Sequence, residues 1–458
     1  MARILIANRG EIACRILRSC RTLGHQAIAV YSPADAGSPH VRMADVAYAL
    51  PANPARKSYA SIDTILEAAQ ATRADAIHPG YGFLAESGDF ARQVRQAGLC
   101  WIGPDPESID AMGDKKRARD IARTAGVPVL EGSCLITPDS APDDILRTGR
   151  GIGFPLLIKA VAGGGGMGMQ QVTDESDLLV QTSQVQHHAL RLYGNPAVYF
   201  EKCLTRARHV EVQVFGLGHG KGIHLHAREC SIQRRYQKVI EESLGEQLPA
   251  HVGERVCAAA LRLVHEQNYS GAGTVEFLYD DTQDAFYFLE MNTRIQVEHA
   301  ITEMVCDMDL VALQIRLALG EDLTEELPAA PSCNGHAIEC RLYAEDPQSD
   351  FRPSAGTLRA LNFPPEGPGL RIDTGVERGS TISPFYDPMI AKIITHGSSR
   401  EAARLSMLEA LSKISIEGVH TNLGLLRDIL QSPEVIAGRV HTRFLGEALE
   451  RLAGVTCG

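Results

Sequence analysis

Short apolar runs alternate with helix-like stretches over the first hundred residues. Residues 3–7, 26–31 and 74–77 are runs of the length and composition that predict buried strands. The stretch between the first two has apolar residues at helical spacing, and Gly24 suits its end. Strands that alternate with helices predict βαβ units and a parallel sheet. The first turn lacks the GxGxxG pattern of a dinucleotide site, so a dinucleotide is not expected there.

Further along the chain the pattern changes from alternation to long strands. Residues 115–131 predict a linker helix that ends near Gly126, and a compact unit with a glycine-rich loop follows it. Strands dominate from 204 onward. The remaining predicted elements are strands at 209–215, 222–225, 337–342 and 391–394, and helices at 252–267, at 301–319 and from 400.

The most informative pattern is a predicted hairpin with a carboxylate in each strand. Apolar runs at 273–279 and 285–290 flank a polar break, and a turn centred near Gln283 would make Glu276 and Glu290 cross-strand neighbours. Like charges directly opposite each other destabilise a sheet. A divalent cation removes that objection, because carboxylate oxygens suit Mg²⁺. Asn292, two residues beyond Glu290, points to the same face and offers a third oxygen.

Polar side chains continue beyond the hairpin. Arg294, Gln296 and Glu298 follow Asn292 at period two, which predicts a continuation of the same strand face. A row of cation ligands, a guanidinium and a carboxylate predicts a nucleotide and anion site. The alternative is a solvent-exposed polar face, which the intervening apolar residues disfavour.

Composition excludes several classes of protein. The 458 residues carry a net charge of −11, with 44% hydrophobic and 22% charged residues. This balance is ordinary for a globular enzyme and argues against non-specific nucleic-acid binding. The 11 cysteines show no CxxC or zinc-like spacing. No apolar run has the length of a membrane span, and charged residues come too early for a signal peptide. A cytoplasmic enzyme is expected.

The glycine-rich stretch 163–168 can bring backbone amides against phosphate oxygens. It is not a P-loop, because a strand-like run rather than a helix follows. A hairpin lid fits better, and a plain turn is the alternative. Lys159 precedes the loop by four residues, and Lys115 and Lys238 also suit phosphate or bicarbonate charge.

Three other motifs leave alternatives open. Residues 201–204 close a strand and predict a hinge whose backbone contacts an adenine edge. His209 is as compatible with a structural histidine as with a ribose contact. The glycines at 216–222 imitate a phosphate loop, but between two strands they predict a hairpin turn.

Several long motifs, in the right order, resemble those of the biotin carboxylase family of ATP-grasp ligases. They lie at 6–13, 78–84, 112–115, 208–213, 290–299, 339–341 and 386–387, and the resemblance runs from Arg3 to the C-terminal helices. It implies an α/β and α+β fold with an ATP-grasp core. The implied parts are a Rossmann-like N-terminal domain (1–113), a linker helix (114–131), a mobile lid (132–203), the ATP-grasp core (204–330) and a biotin carboxylase C-terminal domain (331–458).

The resemblance also implies a reaction: ATP activates bicarbonate to carboxyphosphate, which carboxylates biotin on a carrier protein. The residues implied for ATP are Lys115, Lys159, Gly165, Gly166, Glu201, Lys202, Cys203, Leu204, His209, Gln233 and Tyr236. Those implied for Mg²⁺ or Mn²⁺ are Glu276, Glu290 and Asn292, and those for bicarbonate are Lys238, Arg294, Gln296 and Val297. Glu298 is the implied base. Arg341 is implied to stabilise the biotin enolate oxygen.

The implied partners are a biotin carboxyl carrier protein, a carboxyltransferase subunit and a second copy of the chain. The chain contains no Ala-Met-Lys-Met biotinylation motif, so the biotin is expected on another chain. A role in acetyl-CoA carboxylase or a related carboxylase is implied, and the acceptor itself is not readable. Two alternatives remain: another ATP-grasp ligase, such as a carbamoyl-phosphate-type enzyme, and a non-catalytic nucleotide-binding subunit.

The chain departs from the usual family pattern at a few positions. Met167 stands in the glycine loop where the family usually has Arg or Lys, and Ala162 replaces an extra glycine. The other departures are Tyr236 for a histidine, Ala300 for a proline, and Cys306-Asp307 for a Thr-Gly pair. None removes a predicted metal ligand or the predicted base.

Overall fold

The structure is a computed structural model that describes residues 1–161, 169–245, 247–328 and 331–455. The glycine-loop residues Ala162, Gly165, Gly166 and Met167 therefore lie outside the described residues. Among the helices that are described, none combines the length and apolar character needed to cross a bilayer.

Five parallel strands in the order β3-β2-β1-β4-β5 form the N-terminal sheet. Ile4, Leu5 and Ile6 are each 0% exposed, as expected of a parallel strand covered on both faces. The predicted βαβ pattern is confirmed. The elements are β1 Arg3–Ile6, α1 Gly10–Thr22, β2 Gln26–Tyr31, α2 Pro39–Met43, β3 Val46–Ala49, α3 Ile62–Ala71, β4 Ala76–His78, α4 Gly88–Gln96, β5 Cys100–Trp101 and α5 Pro106–Gly113.

A separate three-stranded sheet, in the order β7-β6-β8, forms the next unit. The strands β6 and β7 pair antiparallel, so the glycine-rich stretch connects two strands of a hairpin. The predicted strand after that stretch is confirmed, and so is the linker helix. The elements are α6 Lys115–Thr124, α7 Pro142–Ile152, β6 Leu156–Ala160, β7 Met169–Val172, α8 Glu175–Tyr193 and β8 Val198–Lys202.

A large sheet of eight strands occupies the rest of the chain, in the order β13-β12-β9-β10-β11-β14-β21-β19. Its first part contains β9 Ala207–Gly218, β10 Lys221–Arg234, β11 Gln237–Ser243, α9 Ala250–Glu266, β12 Ser270–Asp280, β13 Ala285–Asn292, α10 His299–Cys306 and α11 Leu310–Ala318. The helical structure predicted over 301–319 is confirmed, but it is divided into two helices. Asp307 ends α10 in the left-handed region, with φ at 53°, a conformation that Asp tolerates better than most residues and that stops a helix.

The C-terminal part continues the same sheet, because β14 pairs with β11. Its elements are β14 His336–Tyr343, β15 Glu345–Asp346, β16 Arg352–Pro353, β17 Gly356–Thr357, β18 Ala360–Asn362, β19 Leu370–Thr374, β20 Thr381–Ile382, β21 Met389–Gly397, α12 Arg400–Ser412, β22 Ser415–Glu417, α13 Leu423–Gln431, α14 Pro433–Ile436 and α15 Phe444–Val455. Residues on both sides of the predicted boundary at 330/331 therefore share one hydrogen-bonded ladder.

Strand β10 is irregular at several places, with two register shifts against each neighbouring strand. Its register against β9 shifts between His224 and Ala227, and its register against β11 shifts between Glu229 and Ile232. Such bulges bend a strand and increase its twist. The strand begins after a tight turn from β9, which confirms the hairpin predicted for 216–222.

Candidate active site

Glu276 on β12 and Glu290 on β13 are cross-strand partners, as the sequence predicts. Burial and the neighbouring Glu276 raise the pKa of Glu290, although Lys115 opposes the shift. Asn292 completes the predicted group, and its Nδ2 donates to Glu276 Oε1 at 2.9 Å. Two facing carboxylates beside an amide form a site that a cation would relieve electrostatically.

The segment that follows is not a continuation of strand β13. The strand ends at Asn292, and residues 293–298 have no regular secondary structure before α10 begins. The predicted period-two continuation is therefore wrong. Side-chain contacts replace a strand ladder here, because Arg294 Nε lies 2.9 Å from Glu86 Oε2 and Gln296 Nε2 donates to Glu276 Oε1 at 2.9 Å. The predicted side chains still converge, but through tertiary contacts.

Lys238 on β11 lies at the centre of the site. Its Nζ contacts Glu211, and it donates to Glu276 at 2.9 Å and to Glu298 at 2.7 Å. Burial alone would lower the pKa of Lys238, but the three carboxylates outweigh it and hold the pKa well above its usual value. The ammonium is therefore a fixed positive charge that links the metal-type carboxylate to the predicted base.

Glu298 is held between two cations. It is 1% exposed, and its oxygens accept from Lys238 at 2.7 Å and from Arg341 at 2.9 Å. Burial would raise the pKa of this carboxyl, but Lys238 and Arg341 outweigh burial and the nearby Glu211, so the pKa is lowered. Glu298 is ionised at neutral pH, as a general base must be before it accepts a proton.

Arg341 on β14 lies between Glu298 and a second buried carboxyl group. Its Nη2 is 2.5 Å from Glu241 Oε1. Burial raises the pKa of Glu241 to about 7, although Arg341 opposes the shift. Glu339, the cross-strand partner of Glu241, has a pKa held well above its usual value by burial. Burial therefore favours the protonated forms of both carboxyl groups near Arg341.

His209 belongs to the same cluster. Its Nε2 lies 3.1 Å from Glu276 Oε2 and 3.6 Å from Glu211 Oε2. Burial would lower its pKa, but Glu276 outweighs burial and the pKa is raised to about 9. The candidate ligand atoms of His209, Glu211 and Glu276 all lie within 4.8 Å of one another. His209 thus faces the acidic centre rather than an apolar core.

The acidic cluster fits a divalent cation. Two positively charged side chains, those of Lys238 and His209, form ion pairs with the carboxylate oxygens of Glu276. Lys115 and Lys238 also act on Glu290, but burial and Glu276 outweigh them and keep its pKa raised. Carboxylate and amide oxygens are the ligands of Mg²⁺ and suit Mn²⁺. The donor set therefore matches the predicted metal.

The predicted nucleotide side is built on the three-stranded sheet. Lys159 on β6 is paired with the buried Glu201 on β8, and Arg119 lies 3.2 Å from the same carboxylate. Burial lowers the pKa of Lys115, which also faces Glu290 and Lys159. Lys115 and Lys159 thus both face Glu290 of the acidic hairpin, which is a suitable position for binding phosphate.

The hinge predicted at 201–204 is partly occupied by its own chain. The amides of Lys202 and Cys203 donate to the carbonyl oxygens of Glu131 and Pro155, at 3.0 and 3.1 Å. These two amides are therefore engaged in this conformation. If this stretch contacts adenine, the contact is made by other backbone groups of the stretch, such as those of Leu204.

Three other predicted residues have different surroundings. Gln233 is buried and donates to the carbonyl of Cys230 at 2.9 Å. Tyr236 lies in the turn between β10 and β11, is 52% exposed and has a φ of 66°. The carbonyl oxygen of Val297 accepts a hydrogen bond from Lys392 at 2.6 Å.

Sequence reasoning missed Arg228 and Glu211. Arg228 is 1% exposed and bonds Glu211 Oε1 at 2.6 Å and Gln296 Oε1 at 3.0 Å. Glu211 could have been found, because it follows His209 at strand period two on a face that also bears Gln213. Arg228 has no sequence signal, since its partners come from three distant stretches of the chain.

A cavity of about 510 Å³ opens beside this cluster. The N-terminal part of the chain, the segment after β13 and the C-terminal part line it, including Arg294, Val297 and Arg341 from the site and the aromatic side chains of Phe83 and Tyr386. It is large enough for a small heterocyclic substrate next to Arg341, which also contacts Glu298.

Three family models match the chain. The biotin carboxylase N-terminal domain matches residues 1–109, the ATP-binding domain of the carbamoyl-phosphate synthase L chain matches 114–326, and the biotin carboxylase C-terminal domain matches 339–447. The first and third models distinguish the chain from a carbamoyl-phosphate synthase. The chain belongs to the biotin carboxylase family. Its fold is the ATP-grasp fold that the sequence predicts.

Individual relatives of this biotin carboxylase family member agree. Biotin carboxylase 1 of Bacillus subtilis is 43% identical over 97% of this chain and 98% of its own length. The mitochondrial methylcrotonoyl-CoA carboxylase subunit alpha of Rattus norvegicus is 44% identical, and the chain spans 62% of that protein.

Solved structures show the same similarity. The biotin carboxylase domain of the 2-oxoglutarate carboxylase of Hydrogenobacter thermophilus, crystallised as a dimer with MgADP, ADP and bicarbonate, is 40% identical. It matches with a TM-score of 0.92 over 97% of both chains.

Proposed function

We propose that this chain is a ligase that uses ATP and bicarbonate to carboxylate biotin held on a separate carrier protein. The observation that supports this most directly is the position of Glu298 between Lys238 and Arg341, at 2.7 and 2.9 Å. The Glu298 carboxylate can accept a proton as a base, and the two cations beside it can bind an anion. The neighbouring acidic hairpin supplies the place for a metal–nucleotide complex.

In this proposal ATP lies between the lid and the hairpin. Lys115, Lys159 and the backbone near Leu204 bind the nucleotide, and Glu276, Glu290 and Asn292 hold Mg²⁺ or Mn²⁺. The metal, when bound, neutralises charge that develops on the transferred phosphoryl group. The glycine loop with Gly165 and Gly166 remains part of the proposal from the sequence.

Bicarbonate is proposed to lie against Lys238, Arg294, Gln296 and Val297. Its proton passes to Glu298, whose lowered pKa keeps it ionised until that step. Removing the proton makes the bicarbonate oxygen a better nucleophile toward the γ-phosphorus. The hydrogen bonds from Arg228 and to Glu276 hold the Gln296 side chain in place.

Arg341 is proposed to act on biotin. The ureido nitrogen of biotin is a poor nucleophile until it loses its proton, and the charge then resides largely on the ureido oxygen. A guanidinium aimed at that oxygen stabilises the developing charge. Glu241 and Glu339 preserve that capacity, because burial favours their protonated forms.

The final carboxyl acceptor belongs to a partner. The relatives named above include a methylcrotonoyl-CoA carboxylase and a 2-oxoglutarate carboxylase, so acetyl-CoA is one candidate among several. We propose a carrier protein, a carboxyltransferase subunit and a second copy of this chain as partners, in the cytoplasm. Co-purification of the carrier and transferase identifies the acceptor.

The test compares two acceptors. Free biotin lacks the contacts of the carrier's surface, and remote binding energy normally positions a reacting group. We therefore expect poor carboxylation of free biotin and efficient carboxylation of a biotinylated carrier domain, both dependent on ATP and bicarbonate. Arg341→Ala is the control and is expected to lose carboxylation.

Each other outcome has a distinct meaning. Equal efficiency toward both acceptors contradicts the carrier-dependent reading, and full activity of Arg341→Ala contradicts the role of that residue. ATP turnover with another amine or acid, but none with biotin, favours a different ATP-grasp ligase. ATP binding without any turnover favours a regulatory subunit.

A further inference from the structure

Lys392 on β21 is a buried cation that the proposed reaction does not use. Its side chain is 0% exposed, and its Nζ donates to the carbonyl oxygen of Val297 at 2.6 Å. The same Nζ lies 3.5 Å from Glu11 Oε1 and 3.7 Å from Asp373 Oδ2. One ammonium group therefore links the N-terminal helix α1, the C-terminal strands and the segment that bears Glu298.

The strand pairing fixes where this ammonium group can lie. Lys392 is directly opposite Arg341 on β14 and directly opposite Asp373 on β19. Directly opposite residues of an antiparallel pair point to the same face of a sheet. Lys392 thus shares a face with Arg341, the residue proposed to act on biotin.

The segment that Lys392 contacts has no ladder of its own. Residues 293–298 lie between β13 and α10 without regular secondary structure. Glu298 is the residue next to Val297 and the N-cap position of α10. The hydrogen bond from Lys392 to the Val297 carbonyl therefore holds the peptide group that joins Val297 to Glu298, the proposed base.

The charge of Lys392 is maintained in spite of its burial. Burial alone would lower its pKa, but Glu11, Glu339 and Asp373 outweigh burial and raise it. Burying an ion pair is often no more stabilising than an apolar side chain of similar volume. A buried ammonium aimed at a backbone carbonyl beside the base indicates a role in geometry.

We propose that Lys392 is a positioning residue that fixes Val297 and Glu298 relative to Arg341. Its effect on turnover rests on the proposed function, whereas its effect on the segment does not. Without the ammonium, the base and the biotin-directed guanidinium no longer keep a fixed separation. A misplacement of about 1 Å can cost roughly 100-fold in rate.

The experiment uses the full chain and three variants. Lys392→Met removes the ammonium group and keeps the length of the side chain. Lys392→Met combined with Glu11→Gln also removes the carboxylate that would lose its partner, so the net charge equals that of the wild type. Arg18→Met is the matched control, because Arg18 contacts Asp373, a partner it shares with Lys392, from the same helix as Glu11, and among the described residues it makes no hydrogen bond to α10 or to Val297.

Two readouts are measured in each variant. Amide hydrogen exchange over 293–299 is expected to speed up in both Lys392 variants and to stay unchanged in the control. The kcat/KM for bicarbonate is expected to fall roughly 10- to 100-fold in the Lys392 variants. The KM for ATP should remain within about twofold, because the nucleotide contacts are remote from Val297.

The outcomes separate the two proposals. Unchanged exchange over 293–299 in the charge-balanced double variant overturns the positioning role, and so does an equal loss in the Arg18→Met control. If the wild type shows no bicarbonate-dependent turnover, the proposed function fails, while the exchange comparison still decides whether Lys392 fixes the segment.

Discussion

Replacing Glu298 by glutamine is the most direct perturbation of the site. Glutamine keeps the size of the side chain but cannot accept a proton from bicarbonate or, later, from biotin. In the wild type the Glu298 oxygens accept hydrogen bonds from Lys238 at 2.7 Å and from Arg341 at 2.9 Å. The glutamine keeps one acceptor oxygen, but its NH₂ group is a donor and faces the donor group of Lys238 or of Arg341. The variant therefore loses the base and one of two charge-assisted hydrogen bonds.

The structure sets the scale of both losses. Loss of a general base costs about 10²- to 10⁴-fold in rate, or roughly 3–5 kcal/mol of barrier. One hydrogen bond to a charged group contributes about 1.5–3 kcal/mol. Lys238 still has Glu211 and Glu276 as partners, so the stability loss stays at the lower end. Rate should fall much more than stability.

The assay is bicarbonate-dependent ATP hydrolysis, with carboxylation of the carrier measured in parallel and ATP affinity measured by titration. Glu241→Gln is the matched control, because it changes the other carboxyl partner of Arg341. Since the pKa of Glu241 is raised to about 7, near neutral pH much of this group is already uncharged, and we expect less than about a tenfold effect.

Full biotin-dependent activity of Glu298→Gln would refute the assignment of the base. Equal losses in Glu298→Gln and Glu241→Gln would show that the effect comes from disturbing Arg341 rather than from losing the proton acceptor. Unchanged ATP affinity in Glu298→Gln distinguishes a catalytic loss from a collapsed nucleotide site.

Two further predictions concern the metal and the stability of the sheet. Glu290→Ala should raise the Mg²⁺ concentration needed for half-maximal ATP hydrolysis without lowering the urea midpoint, because one of two facing carboxylates is removed; an unchanged Mg²⁺ dependence contradicts the site. Burial would raise the pKa of Glu242, but His336 and Arg400 lower it to about 2. The ionised side chain therefore contributes to the free energy of unfolding above about pH 4.5, and this contribution is lost as the pH falls toward 2. Glu242→Gln should therefore cost about 3 kcal/mol at pH 7 and progressively less in acid, and a urea-midpoint difference that grows on acidification would contradict this sign.

The sequence predicts the hairpin better than it predicts the segment after it. Glu276 and Glu290 are related by a short turn, so local spacing brings them close together, and a register shift between Glu276 and Phe277 places them directly opposite each other. Contacts with residues distant in sequence fix the conformation of 293–298. These residues are Glu86, Lys392 and the two partners of Gln296, which are Arg228 and Glu276. Strand periodicity carries no information about such contacts, and the predicted continuation failed there.

The same distinction explains the missed residues. Glu211 repeats at period two after His209, so the pattern contained it. Arg228 and Glu241 gain their roles only when strands from different stretches lie side by side in the large sheet. The break at Asp307 was missed because an apolar helical pattern continues on both sides of one left-handed residue.

The bulges in β10 have a consequence for the length of this strand. Glu276 and Lys238 lie on strands separated by β9 and β10, and on a flat sheet three spacings would put their backbones roughly 14 Å apart. Their side chains meet at 2.9 Å, so these two long side chains together span the two intervening strands. Deleting the extra residue of a bulge would leave the following residues of β10 opposite their present partners and reduce the local bend, whereas deleting a residue from a regular part of the strand would turn every following side chain to the opposite face. Insertions and deletions should therefore be tolerated at the turn before β10 and should disrupt the site when they fall in the regular part of β10.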